Sequence, residues 1–141
     1  MNLETVLLFV IDQTSKIAKQ YSEREFELLG IDITVEQWLL LKIIEEKDTL
    51  SQTELAKNTH RDPASITRTL DILQKKNLIV RKAVASNRRQ YDVELTTEGR
   101  EFVAKNMPII TKLRNKSIEG LSEIEVKTLM ELLHKIQNNM K

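Results

Sequence analysis

The chain has 141 residues, 40% of them hydrophobic, which suits one compact domain and excludes a disordered polymer. It contains no cysteine, which excludes disulfides, thiolate metal sites and thiol-based redox sensing and fits a reducing compartment. Net charge is only +1, yet the window from Lys57 to Gln90 carries nine Lys/Arg against two acids, a local +7 that leaves −6 for the remainder. A basic segment in an acidic frame is the footprint of a phosphate-binding surface; the plainer alternative is a solvated charge cluster. The apolar run Val6 to Ile11 is too short to span a bilayer and lacks a cleavage pattern, so a soluble, cytoplasmic protein with no membrane partner is expected.

Leu3, Leu7, Val10, Thr14, Ile17, Ala18 and Tyr21 recur at helical spacing and predict a long first helix. Leu8, Phe9 and Ile11 widen its apolar face, which calls either for a partner subunit or for a central place in a monomer. Gly30 to Ile33 interrupts the pattern. Thr34 then opens a second helix with Gln37 placed for a capping box and Trp38, Leu41 and Ile44 as its buried stripe. That helix fades at Glu45 to Asp48.

The stretch Thr49 to Leu95 organises the rest. A short helix, Ser51 to Asn58, opens with a Ser51/Glu54 capping box and carries Leu55 and Ala56 inward. The turn Thr59-His60-Arg61 leads to a second helix, Asp62 to Lys76, with Asp62 as N-cap and Pro63 at the first helical position. Ile66, Leu70 and Leu73 share its inner face, so Ala64, Ser65, Thr67, Arg68, Thr69 and Asp71 lie away from that face's centre. A strand from Leu78 to Lys82, a basic tip from Ala83 to Arg89 and a return strand from Gln90 to Leu95 follow. Thr96 or Thr97 caps the next helix, with Phe102, Val103, Met107, Ile110 and Leu113 apolar and Pro108 expected to kink or divide it. Ser122 and Glu125 form one more capping box before a last helix with Val126, Leu129, Leu133, Ile136 and Met140 as a packing seam.

Two short helices followed by a two-stranded ribbon with a cationic tip outline a winged helix-turn-helix, a module that reads duplex DNA. The expected fold is mainly α with a small β-hairpin wing and N- and C-terminal dimerisation helices. Small residues let the second helix sink into a groove, hydroxyls and arginine bond phosphates and base edges, and arginine grips guanine bidentately. Arg68 is the first candidate for a base contact. Ser65, Thr67 and Thr69 are candidate phosphate or base partners, and Arg88 and Arg89 suit a minor groove. Lys57, Arg61, Lys75 and Arg81 are further phosphate candidates or simply solvated. Tyr21, Phe26 and Trp38 either line a small-molecule pocket or are core. His60 and His134 are isolated from other ligand-type residues, so no metal and no cofactor are expected. No phosphate-cradling glycine loop, nucleophile motif or paired-carboxylate context marks an enzyme. The rival reading is a winged-helix protein-interaction module, which a duplex titration over salt would separate, since a DNA binder loses affinity steeply.

The chain resembles the MarR family of transcriptional regulators over nearly its whole length. The resemblance rests on Leu50-Ser51-Gln52-Thr53-Glu54-Leu55-Ala56, Ile66-Thr67-Arg68-Thr69-Leu70 and Leu73-Gln74-Lys75-Lys76-Asn77-Leu78-Ile79-Val80-Arg81, then on Asn87-Arg88-Arg89 and Leu95-Thr96-Thr97-Glu98-Gly99. It implies a single domain over 1–141, with 1–33 and 100–141 as dimerisation helices and 34–99 as the DNA-binding lobe. It implies a homodimer on a pseudo-palindromic operator, usually a repressor, released by a small-molecule effector. Two departures stand out. Asn87 replaces the aspartate of the family's usual Asp-x-Arg wing motif, so Arg89 lacks that charge partner. Asn77 stands where glycine is common, and asparagine tolerates the left-handed conformation a helix C-cap needs.

Overall fold

The computed structural model describes residues 2–141, the side chains of residues 87–89 excepted. Its elements run in the order 3-10 turn (Leu3–Thr5), α1 (Leu7–Leu28), α2 (Val35–Lys47), β1 (Leu50–Ser51), α3 (Gln52–Thr59), α4 (Pro63–Lys75), β2 (Ile79–Val84), β3 (Asn87–Leu95), α5 (Thr97–Ser117) and α6 (Glu123–Met140). The chain divides into two compact units, Met1–Met107 and Pro108–Lys141. No helix among the described residues is long and apolar enough to cross a membrane.

In the first unit the helix starts follow the caps. Thr34 and Gln37 complete the reciprocal box at α2. The Ser51 hydroxyl accepts from the Glu54 N–H at 3.1 Å, but the Glu54 carboxylate accepts from that same hydroxyl rather than from the Ser51 backbone. The expected box is therefore half made. Three helices end alike. Gly30 (φ 70), His60 (φ 54) and Asn77 (φ 62) take the left-handed conformation, and the next N–H reaches back to Phe26, Ala56 and Leu73 respectively. This is the 6→1 bond of the Schellman motif. Asn77 thus does the work glycine would do there.

The sheet is larger than the expected hairpin. β2 and β3 pair antiparallel, and β1 adds a third strand on the other edge of β3, with Leu50 opposite Val93. A two-residue strand has no periodicity to read. The tip is also tighter than the seven residues expected, because Val84 pairs with Asn87 past an irregularity after Ala83, leaving Ala85 and Ser86 as the turn. Trp38, Leu41, Ile44, Leu55, Ile66, Leu70, Leu73, Ile79, Val93 and Val103 are the large fully buried side chains of this unit. Burial of each such side chain contributes about 1.5–3 kcal/mol.

Thr96 is the cap of α5. Its hydroxyl accepts from the Gly99 N–H at 2.9 Å and donates to the Asn77 carbonyl at 2.5 Å, tying the helix start to the loop after α4. Thr96→Val keeps the shape and loses both bonds, so a cost of about 1–2 kcal/mol is expected, read as a lower urea midpoint with an unchanged slope. The helix itself runs unbroken through Pro108, so the proline does not divide it.

In the second unit a turn at Gly120 (φ 88) joins the end of α5 to α6, whose Ser122/Glu125 box is complete. The Ser122 backbone N–H bonded to the Glu125 carboxylate holds that carboxyl below its usual range. No residue of α6 is buried, and Ile124, Leu129, Met130, Leu132 and Met140 are exposed. In the first unit Leu3, Leu7, Leu8, Val10 and Ile17 are likewise exposed.

Candidate nucleic-acid interface

The N-terminus of α4 is built by Asp62, whose carboxylate accepts the Ser65 N–H at 2.9 Å. That backbone bond, ahead of the nearby Arg68 charge, holds the Asp62 carboxyl below its usual range. Pro63 follows at the first helical position, where a missing N–H costs nothing. With Ile66, Leu70 and Leu73 turned inward, Arg68 stands exposed and its guanidinium donates to the Ser65 hydroxyl at 3.3 Å.

The two threonines are more occupied than their sequence positions suggest. Thr67 donates to the Pro63 carbonyl at 2.9 Å and accepts from the Gln52 amide at 2.7 Å, which ties α3 to α4. Thr69 donates to the Ser65 carbonyl at 3.0 Å. Both keep acceptor capacity, but their protons are taken within the helix. Gln52 was not singled out in the sequence; it lies 15 residues from its partner, and no local spacing reveals the pair.

The cations fall into two groups. Arg61 is 2.8 Å from Glu36 of α2, which Lys19 of α1 also approaches at 3.5 Å. Arg81 of β2 is 2.5 Å from Asp71 of α4. Lys57 and Lys75 are exposed and have no ion pair among the described residues. The side chains of Arg88 and Arg89, in β3, lie outside what the structure describes. A groove of about 740 Å³ runs between α3, α4 and the strands, lined in part by Gln52, Lys57, Thr67, Gln74, Arg81 and Tyr91.

The Glu36 carboxyl is pushed up by burial, but the hydrogen bond and charge of Arg61, and then those of Lys19, outweigh this and leave it below its usual 4.5. A depressed carboxylate contributes stability that is full above the unfolded value and is lost as pH falls through the lower folded value. Glu36→Gln should therefore show a shallower loss of melting temperature on acidification from pH 6 toward pH 3 than the unaltered protein, values spanning about the carboxylate range.

Tyr21, Phe26 and Trp38 do not all face one opening. Phe26 and Trp38 are core, at 4% and 1% exposure, while Tyr21 is half-buried. The Trp38 indole N–H is buried and has no acceptor among the described residues. No cluster of three or more metal-ligating side chains occurs among the described residues.

A capped two-helix unit with a cation-bearing second helix, flanked by a three-stranded wing, defines a winged helix-turn-helix protein. The MarR family model matches residues 33–91. A point mutant of E. coli MarR solved with operator DNA is 26% identical, with a TM-score of 0.83 and 94% of each chain covered. A complex of S. aureus MepR with DNA is 27% identical, with a TM-score of 0.81, covering 93% of this chain and 96% of that one. AbsC, a MarR family transcriptional regulator from Streptomyces coelicolor, shares the fold at 19% identity, with a TM-score of 0.84 over 99% of this chain and 95% of its own. Residues 33–91 thus match the MarR family, and the chain as a whole has the fold of DNA-binding transcriptional regulators.

Proposed function

We propose that the protein is a cytoplasmic, homodimeric regulator that binds a pseudo-palindromic duplex operator, represses from it and is released by a small-molecule effector. The observation that carries the reading is the exposed Arg68 on the outer face of a capped α4, within a window of net +7 that also carries the exposed Lys57 and Lys75. In this reading α4 enters the major groove, with Arg68 at a base edge and Ser65, Thr67 and Thr69 at phosphate or base oxygens and edges. Lys75 supplies phosphate attraction, and Arg88 and Arg89 reach the minor groove. Arg61 and Arg81, held in ion pairs, support these elements.

The dimer is supported by the exposed apolar side chains of α1 and α6, which single chains in water do not leave uncovered on this scale. Residues 1–33 and 100–141 then serve dimerisation, and 34–99 form the DNA-binding lobe. The buried Trp38 indole N–H, with no acceptor among the described residues, is a donor that an effector's acceptor would satisfy.

Selection from a random duplex pool tests the reading. The expected product is an inverted repeat with half-site centres roughly one helical turn, about 10 base pairs, apart. Sedimentation should show a dimer. A strict monomer that enriches no duplex would overturn the reading.

A further inference from the structure

We infer that Arg81 is not a phosphate contact but a positioning residue, clamped by Asp71 and Gln74 so that the wing is fixed against the DNA-reading helix. This rests on the DNA-binding reading above. It begins with strand register. Ile79 pairs with Leu95, Arg81 with Val93 and Ala83 with Tyr91, and directly opposed residues of an antiparallel pair share a sheet face. Ile79, Val93 and Leu95 are buried, so Arg81 stands in the row turned toward the interior. Lys82, one residue on, takes the other face, is exposed, and pairs with Glu94 at 2.9 Å. A charge meant for solvent belongs in the Lys82 row.

A guanidinium in the inner row loses water and needs a charge partner. Helix α4 supplies two partners one turn apart. The terminal nitrogen of Arg81 lies 2.5 Å from the Asp71 carboxylate, and its Nε donates to the Gln74 side-chain oxygen at 2.7 Å. The side chain of Arg81 is only 20% exposed, against 48% for Asp71. Two bonds to a rigid fork fix orientation as well as distance, which a lysine ammonium cannot do. An arginine already neutralised in this way adds little attraction for phosphate. It does join the two elements that must meet adjacent grooves at once, and such first-contact groups have to be held to within about 0.5 Å.

The test compares the unaltered protein, Asp71→Asn, Arg81→Ala and the exchanged pair Asp71→Arg with Arg81→Asp. Affinity is measured for a pool-selected duplex and for a random-sequence duplex over a range of salt. Asp71→Asn removes a negative charge, so field effects alone would tighten binding to both duplexes. The clamp predicts the opposite for the selected duplex, a loss of roughly tenfold or more, with little change on random sequence. Arg81→Ala should lose the same preference with its salt slope intact, whereas a lost phosphate contact lowers the slope by about 1 and weakens both duplexes alike. The exchanged pair should recover part of the loss. Tighter binding of Asp71→Asn to both duplexes, or a slope lowered by about 1 in Arg81→Ala, would overturn the clamp alone. If Arg81→Ala does not fold, the half-exposed Asp71→Asn decides. An unaltered protein that binds no duplex would remove the underlying reading and the clamp together.

Discussion

Gly99→Ala is expected to destabilise the first unit by at least about 3 kcal/mol, or to prevent folding, although Gly99 lies in ordinary helical conformation at the start of α5. A Cβ there would sit 2.0 Å from the Leu78 carbonyl oxygen and 3.0 Å from its carbon, both backbone atoms that cannot swing aside. That carbonyl is also fixed, because it accepts the Thr96 N–H at 3.1 Å, and Thr96 in turn caps the helix through the Gly99 N–H. The glycine is thus required for close approach and not for backbone freedom. Gly30 makes the contrast: it has φ 70 and nothing near its missing Cβ, so Gly30→Ala should cost only about 1–2 kcal/mol, that of one left-handed residue. Denaturant unfolding of both variants checks this. Equal midpoints for the two would contradict the account of Gly99.

The second large effect concerns binding. Arg68→Ala should lower affinity for a selected operator by about 1–3 kcal/mol and relax preference at one base position in each half-site. Arg68 is exposed on the outer face of α4, and on engaging a guanine edge it gives up a weak 3.3 Å bond to Ser65 and a solvent-screened attraction to Asp62. Repeating the duplex selection with the variant is the check. An unchanged operator profile with uniformly weaker binding would make Arg68 a phosphate contact instead.

Local signals were legible in the sequence. Thr34 with Gln37, Ser122 with Glu125, Asp62 before Pro63, and the Ile66, Leu70, Leu73 spacing each act within one or two helical turns. The left-handed Asn77 followed from its chemistry. Contacts between elements were not legible. Arg81 and Asp71 are ten residues apart, Arg61 and Glu36 twenty-five, and nothing in their spacing says that these cations pair with carboxylates of the same chain. The third strand, Leu50–Ser51, is too short for its two residues to show an alternation. The motif ending in Gly99 was readable as a resemblance, but its physical cause, the Leu78 carbonyl, was visible only in three dimensions.

The most direct measurement is the affinity of the intact dimer for a short duplex, followed by fluorescence anisotropy as salt is raised. The basic face of α4 and the wing predicts binding at low salt that weakens steeply and log-linearly, by roughly 0.9 in slope for each phosphate neutralised, with a selected sequence held at least about 1,000-fold tighter than a random one. Failure to bind either duplex in dilute buffer, or binding that ignores salt, would contradict it.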